Sequence, residues 1–590
     1  MSESISVSLT SELVSDFLTY TTAIYNRALP DIVDGLKVAQ RRAILGLKDL
    51  SLTSNSQYCK VSRLEGHVLG KYHPQGGCSG TIINLGQQSS TRYTLTDIHG
   101  NVGGSIQTGP AIGQLISEDE AAAARYLEVR STTLVERVYL ADLDRTLGDW
   151  RSNYDDSTTE PVRMVPSLPA LLITGAQGIA SGYACYHLPY RISDVVNATR
   201  AFIKNKNITD KQLLSKFSSP PEFAQGGRVD KNSCKLSEVI LHGKGQVEVW
   251  GEWSVEEKFA WKKKSTRPAL IITRLAYGSS EKFLEKVRDL ADSGRLQNLV
   301  DASDHSSREG IRIVLVAKTP EDIKGCILPA LLSSTGLKHI YNINCTTVGV
   351  DGKPVLTGVR EVIRSWYGER VKYVISRNKK LKESLQLEID KLSGVQTILS
   401  DVDRFIKLVR KAKDSESAIA QIEKIWKLSR VVSQHLLSIP IRTLIATESG
   451  KVSERLNTLQ SELSSVEKLC AAGPDLDNHI ISSMPSEKQL EFTPRCVWAE
   501  LSQPETVVEK PPTLKEKIFS EGKTLGMTSR GLNKWIRTNT GTGKIMENWE
   551  KYKAELKTAS KKSARIRKTS AAKRCQVESS TSPPTRRKRL

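Results

Sequence analysis

Between residues 358 and 412 the apolar side chains Val362, Ile363, Trp366, Val371, Val374, Leu381, Leu385 and Ile389 recur mostly every three or four positions, with charges between them. That spacing is helical, and a helix this long must bury its apolar stripe against a partner. A partner follows in the chain, where Val452, Leu456, Leu459, Leu463 and Val466 repeat the spacing. Two long helices around a compact helical insert at 413–450 predict a coiled-coil stalk ending in a small globule. A plain helical bundle satisfies the same pattern.

A stalk accounts for a fraction of 590 residues, and single cores rarely exceed about 300 residues, so several domains are expected. No stretch of about 18 uninterrupted apolar residues predicts a membrane span. Met1-Ser2-Glu3-Ser4 is polar and acidic, unlike a signal peptide. Nine cysteines without a CxxC pair fit a reduced compartment and argue against a disulfide scaffold or a zinc site. The net charge of +21 suggests a polyanion partner, most simply nucleic acid. Residues 551–590 carry 14 Lys and Arg against 2 Glu, so the tail alone holds over half of the excess. The body is therefore judged from its motifs.

Ala121-Ala122-Ala123-Ala124-Arg125-Tyr126-Leu127-Glu128 sets one tyrosine beside one arginine. A tyrosine hydroxyl can attack a phosphodiester and hold the broken strand covalently, and an adjacent guanidinium can clamp the phosphate oxygens. Most Arg-Tyr pairs are packing, so the surroundings decide. Upstream, residues 8–25 read as an amphipathic helix bearing Leu9, Leu13, Phe17 and Tyr20. Pro30 and Gly35 punctuate the next stretch, and a helix at 37–48 opens with Lys37, Arg41 and Arg42. Lys37 and Arg41 are i, i+4 neighbours, either a solvated basic face or a phosphate seat. Lys60, Arg63 and Lys71 follow, with His73 in a Pro- and Gly-bounded turn suited to phosphate contact or proton transfer. Asp97-Ile98-His99-Gly100-Asn101-Val102-Gly103-Gly104 is a glycine-rich loop.

The order RALPDxxDGLKxxQRR, KxxRxxGxVxGKYHP, GNxGG and AAxRY resembles the breakage-reunion (A) subunit of type IIA DNA topoisomerases, the family of the gyrase and topoisomerase IV A subunits and the phage-type medium subunit. The match continues through Asn153–Ser157, Glu160-Pro161, Val165–Pro169 and Thr174–Ala184, and covers roughly 8–470. The resemblance implies an α+β multidomain fold. It implies a winged-helix DNA-gate domain over 1–190, an α/β tower domain over 191–357, and the coiled-coil stalk with a C-gate over 358–471. Tyr126 is implied as nucleophile, with Arg125, Arg27 and His73 in the catalytic set. Lys37, Arg41, Arg42, Lys60, Arg63, Lys71 and Gln75 are implied on DNA, and Ile179 as a wedge between base pairs. Read without the family, Ile179 is a buried residue in a Gly-rich strand turn. The family's YHPHGD is here Tyr72-His73-Pro74-Gln75-Gly76-Gly77, so the second histidine has become Gln75, which cannot carry a proton.

Within 190–360, strands are predicted at Glu238–Leu241, Gln246–Trp250, Ala269–Thr273 and Ile311–Val316, and a helix at 280–293 with Phe283, Val287 and Leu290 on one face. Lys262, Lys263 and Lys264 join a DNA track or form a solvated loop. Prolines 474, 485, 494, 504, 511 and 512 predict an irregular linker over 472–512. A small helical module with Trp535, Trp549 and Tyr552 is expected at 513–556, and a basic disordered tail at 557–590. Thr538–Lys544 lacks P-loop spacing. Asp142-Leu-Asp144 and Asp401-Val-Asp403 read as solvated turns or helix surface, leaving no metal site in this chain. The resemblance implies that ATP and Mg²⁺ belong to a separate ATPase/TOPRIM subunit. It also implies an A2B2 assembly on a homodimer, and a cytoplasmic place, or a nuclear one in a eukaryotic host. Without a β-pinwheel pattern or glycine-rich box, relaxation and decatenation are expected rather than negative supercoiling. The compact length and Gln75 suggest a viral source. The alternatives are a non-catalytic DNA-bending scaffold of the same fold, or a self-sufficient nuclease.

Overall fold

The computed structural model of the chain describes residues 9–109, 111–231, 235–262, 265–439, 446–490, 492–499 and 549–552. The chain divides into two compact units, residues 1–504 and 505–590. Every element below belongs to the first. In the second, 549–552 form one helical turn; the rest of the expected helical module, Thr538–Lys544 and the basic tail lie outside the described residues.

The N-terminal third runs α1 (Leu9–Ala28), α2 (Val38–Asp49), β1 (Cys59–Lys60), α3 (Val61–Lys71), α4 (Ser79–Asn84), β2 (Thr96–His99), β3 (Glu128–Ser131), β4 (Trp150–Ser152), β5 (Thr159–Pro161), α5 (Ala170–Thr174), β6 (Ala176–Ala180) and β7 (Tyr183–His187). Ile44, Leu47, Leu64, Val68, Ile82, Leu127 and Val129 from α2, α3, α4 and the β3 region are all essentially buried in one core. Antiparallel β1, β3 and β2 form a small sheet beside these helices. The helix expected at 8–25 forms as Leu9–Ala28, but Phe17 and Tyr20, two residues of its expected apolar face, are each 63% exposed.

The middle third comprises α6 (Ile192–Lys204), α7 (Asp210–Leu214), β8 (Gly227–Asp230), α8 (Leu236–His242), β9 (Lys244–Trp250), β10 (Glu252–Lys262), β11 (Ser265–Arg274), α9 (Ser280–Asp292), β12 (Leu299–Asp304), β13 (Ile313–Ala317), α10 (Pro320–Asp322), α11 (Leu328–Ser334), β14 (Lys338–Asn344), β15 (Thr346–Val348) and β16 (Pro354–Leu356). A four-stranded sheet, β10-β11-β13-β12, buries Leu270, Ile272, Ile313 and Leu315 against Phe283, Val287 and Leu290 of α9, as the spacing predicted. The strand expected at Glu238–Leu241 is instead α8. Four apolar-rich residues cannot distinguish the two states, and Gly243, at φ 72, closes the segment as a helix C-cap. Lys263 and Lys264 lie outside the described residues.

The last third holds α12 (Val359–Leu399), α13 (Val402–Lys411), α14 (Ser415–Trp426), α15 (Arg430–Ser438), α16 (Ala446–Glu467), α17 (Pro474–Ser483) and β17 (Cys496–Ala499). Leu385, Ile389, Val395 and Ile398 of α12 bury against Leu456 and Leu459 of α16 and Val432 and Leu436 of α15. Leu381, counted in the stripe, is 44% exposed. The helix base docks on the N-terminal third. Trp366 Nε1 donates to the Pro166 carbonyl at 2.9 Å, and Asp142 receives Arg370 at 2.5 Å and Arg377 at 2.6 Å. Asp142 is thus a half-buried docking group and not a solvated turn.

The described part of the expected linker is not irregular throughout, while residues 491 and 500–512 of it lie outside the described residues. Pro474 occupies the first turn of α17, where its missing N–H costs nothing, and Leu476 and Ile480 enter the main core. β17 then pairs in parallel with β8, completing a six-stranded sheet ordered β17-β8-β9-β14-β7-β6. Buried Arg92 and half-buried Arg495 lock it: Arg92 to Glu222 at 2.8 Å, and Arg495 to the Gln88 side chain at 2.6 Å.

Candidate active site

Tyr126 lies in a turn two residues before β3, and the glycine loop braces that turn. Ala122 N–H donates to the Asn101 carbonyl at 2.9 Å, and Gly104 N–H to the Asp119 carbonyl at 3.2 Å. Gly100 adopts φ 125, and a Cβ there would stand 2.7 Å from Leu127 Cδ2, so only glycine fits. Leu127 is fully buried, and its carbonyl accepts from Val61 N–H at 3.0 Å. The anchored leucine leaves its neighbour outside: Tyr126 is 63% exposed, and the Arg125 guanidinium stands 4.9 Å from its ring centroid. Among the described residues no side chain engages the Tyr126 hydroxyl, which is therefore open to a substrate.

A second group forms where the end of α1, α2 and the turn after α3 meet. Arg42 binds Glu160 through Nε at 2.6 Å and NH2 at 2.9 Å, while its NH1 meets His73 Nδ1 at 2.9 Å and Gln75 Oε1 at 3.3 Å. Arg151 shares the same Glu160 at 2.8 Å. Burial first, then the Arg42 and Arg27 charges, hold the His73 imidazole below its ordinary pKa. A guanidinium can only donate, so Nδ1 accepts and neutral His73 carries its proton on Nε2. Arg42 and Arg151 share one carboxylate, and the Arg27 charge is felt at His73, so the group carries a cationic surplus that a phosphate can satisfy.

Lys37 and Ile179 come together through backbone packing. A Cβ at Gly178 would lie 2.3 Å from the Ala28 carbonyl and 3.5 Å from Lys37 Cε, so the β6–β7 hairpin rests directly on the end of α1. Burial holds the Lys37 ammonium below its ordinary pKa. Ile179, near the hairpin tip, is 82% exposed, which overturns the buried-turn reading. A cleft of about 730 Å³ opens beside Lys37, lined also by Gln177, Arg92, Tyr277, His339 and Tyr341 and by no carboxylate among the described residues.

Arg41 does not belong to an exposed basic face or a phosphate seat. It is buried, with Nε on Asp34 Oδ2 at 2.7 Å and NH2 on Asp34 Oδ1 at 3.0 Å. Its i, i+4 spacing from Lys37 is real, but Lys37 is the helix N-cap residue and Arg41 turns into the core. Lys60 pairs with Glu128 at 2.9 Å, Lys71 stands 3.8 Å from Asp49, and Arg63 is exposed without an ion-pair partner among the described residues. Sequence reasoning gives no role to Glu160, Arg151 or Asp49. Asp49 gathers His67, Tyr72 and Arg145 at 3.1, 2.5 and 3.0 Å. Their only signal is an unpaired carboxylate near a basic motif. Among the described residues no three His, Cys, Asp or Glu side chains are grouped to hold a metal ion, and no helix is long and apolar enough to cross a membrane.

Residues 27–484 match the family model for the A subunit of DNA gyrase/topoisomerase IV. The chain is 32% identical over 463 residues to the chloroplastic/mitochondrial DNA gyrase A subunit of Arabidopsis thaliana, covering 78% of this chain and 47% of that protein. It is 30% identical over 471 residues to the DNA gyrase A subunit of Brachyspira hyodysenteriae, covering 79% and 54%. With the DNA gyrase A subunit of Synechocystis, identity is 28% over 495 residues, covering 83% and 56%. The chain spans about half the length of the curated relatives it matches. With the matched stretch containing the Tyr126 turn, the His73 group and the Ile179 hairpin, the chain belongs to the family of DNA gyrase/topoisomerase IV A subunits.

Proposed function

We propose that this chain is the DNA cleavage-rejoining subunit of a type IIA topoisomerase, with Tyr126 as nucleophile. The observation that carries this is the solvent-facing Arg125-Tyr126 pair, pinned from below by buried Leu127 and the glycine loop. The Tyr126 Oη attacks phosphorus and loses its proton, a 5′-phosphotyrosine bond forms, and the 3′ oxygen leaves and gains a proton. The phosphoester energy is retained, so the step reverses. Arg125 clamps the phosphate oxygens. Arg27, Arg42 and His73, with Gln75, bind a neighbouring phosphate, and Lys37, Lys60, Arg63 and Lys71 track the flanking backbone. Ile179 wedges into the duplex and bends it. Two copies of Tyr126 in a homodimer cut opposite strands, and a second duplex passes, giving relaxation and decatenation.

In this reading residues 1–190 form a winged-helix gate, 191–357 a tower, and 358–471 a coiled-coil stalk with an exit gate. The carboxylates beside the two clusters, Glu128 and Glu160, are committed to Lys60 and to Arg42 and Arg151, and do not suit a divalent ion. Mg²⁺ and ATP are therefore assigned to an ATPase/TOPRIM partner in an A2B2 assembly, a division of labour that fits the family match. The test is denaturant-trapped cleavage of supercoiled plasmid by the chain with Mg²⁺ and the B subunit of a bacterial gyrase or topoisomerase IV. Protein-linked linear DNA from wild type and none from Tyr126→Phe is expected. DNA bending without a covalent adduct from wild type, across several partners, would leave a scaffold protein instead.

A further inference from the structure

The small sheet next to Tyr126 carries a row of three charged or titratable residues in register. Lys60 of β1 lies opposite Glu128 of β3, and Glu128 lies opposite His99 of β2. The Glu128 carboxylate receives Lys60 Nζ at 2.9 Å and His99 Nδ1 at 3.5 Å. Two residues along each strand, hence on the same face, Arg130 lies opposite Asp97 and bonds it at 2.8 Å. Tyr58, two residues before Lys60, donates to Asp97 at 2.8 Å and sets its ring 5.5 Å from the His99 ring. The charged and titratable groups on the His99 face of the sheet are thus Lys60, Tyr58, Asp97, Arg130 and Glu128, and the turn carrying Arg125 and Tyr126 leads directly into β3.

The first row stands at the nucleophile's doorstep. β3 begins two residues after Tyr126, and Gly100, immediately after His99, packs so that a Cβ there would lie 3.7 Å from the Tyr126 carbonyl oxygen. The His99 side chain is 74% exposed and Tyr126 63% exposed, so neither is shut off from a substrate lying along this edge of the sheet. Hydrogen bonds from Lys60 and then His99 keep the Glu128 carboxyl below its usual range. An ionised carboxylate only accepts, so Nδ1 of His99 donates to it and Nε2 of the neutral ring is left to accept a proton. Nucleophile, base and orienting carboxylate are the parts that activate a hydroxyl. His73 is less suited to this task because its Nδ1 is held by Arg42, and Gln75 carries no proton.

We propose that His99 accepts the Tyr126 hydroxyl proton during strand cleavage, with Glu128 and Lys60 as its positioning residues; this rests on Tyr126 being the nucleophile. As the Tyr126 Oη–P bond forms and the P–O3′ bond breaks, the Oη proton passes to His99 Nε2. The departing 3′ oxygen takes a proton from the imidazolium or from water. Rejoining runs the same transfers in reverse.

The experiment measures initial rates of covalent adduct formation from about pH 5.5 to about pH 9, with full chain, a bacterial B subunit, Mg²⁺ and supercoiled plasmid. Tyr126→Phe gives no adduct at any pH. His99→Gln forms adduct about 100-fold more slowly near neutral pH, and its rate climbs steadily with pH where wild type levels off. Added imidazole restores part of the rate to His99→Ala. Glu128→Gln lowers the rate and shifts the wild-type pH profile. A wild-type rate and pH profile in His99→Gln, while Tyr126→Phe abolishes the adduct, overturns the proton-acceptor role alone. Absence of adduct from wild type overturns the nucleophile assignment and the His99 role with it.

Discussion

Replacing Arg41 with alanine separates a structural arginine from a DNA-contacting one. The guanidinium makes two charge-assisted hydrogen bonds to Asp34, and the two side chains are 8% and 0% exposed. Without it, Asp34 keeps only the Leu36 and Met164 N–H groups, each at 2.9 Å, and stays buried as an uncompensated carboxylate. Breaking a buried pair from one side costs about 3–5 kcal/mol. Scaled from about 2–4 °C per kcal/mol for some 200 residues to the compact unit 1–504 that holds the pair, Tm falls by roughly 2–8 °C. Calorimetry of the full chain at neutral pH reads this directly. Removing both partners, as Asp34→Asn with Arg41→Met, costs less than either alone because no charge is stranded. A phosphate-contacting Arg41 behaves oppositely: Tm stays within about 1 °C, and the salt dependence of duplex binding weakens by about one unit of slope. That outcome would refute the burial argument.

Ile179→Ala removes an 82% exposed side chain, so stability changes by less than about 0.5 kcal/mol, while fluorescence energy transfer across a bound duplex reports a reduced bend; an unchanged bend rules out the wedge. Burial, then the Asp34 charge, pushes Asp31 up to about 6, so the folded chain holds a proton that the unfolded chain, at 3.8, releases. Stability from Asp31 is therefore present at low pH and lost as pH rises through about 6. Relative to Asp31→Asn, wild type should gain about 1 kcal/mol between about pH 7.5 and about pH 5, and thermal melts giving a constant difference would exclude this. Truncation after Gly473 removes Leu476, Ile480, Met484, Leu490 and Cys496 from the core and frees the Arg92–Glu222 knot. At about 1.5–3 kcal/mol per buried apolar side chain the shortened chain should aggregate or melt more than about 10 °C lower, and a wild-type Tm would show the segment to be dispensable.

Periodicity finds most of the helices and the central strands because those signals are local. Phe283, Val287 and Leu290 name one face of α9, and Ala269–Thr273 lies within a strand. Two departures come from punctuation. Pro474 reads as a linker mark but opens α17, and Glu238–Leu241 is too short to separate a strand from the helix that Gly243 ends. The other departures have a different origin. Arg42 meets Glu160 across 118 positions, Arg370 meets Asp142 across 228, and Arg495 meets Gln88 across 407. No spacing rule reaches that far, so whether an arginine faces solvent or an internal carboxylate cannot be read from its neighbours.

That distinction orders the candidate site. A basic motif offers phosphate only the charge left after internal pairing. Arg41 is spent on buried Asp34, and Lys60 is shared with Glu128. Arg42 divides Glu160 with Arg151, so that carboxylate neutralises one of the two. Arg125 and Arg63 are exposed, and Lys37, weakened by burial, lies against the hairpin that carries Ile179. The surplus therefore falls on Arg125 beside the proposed nucleophile, on Arg63, on the Arg27–Arg42–His73 group and on Lys37. If the proposed function holds, a duplex held at these places is held where its backbone is to be cut and bent, on a frame fixed by the buried pairs.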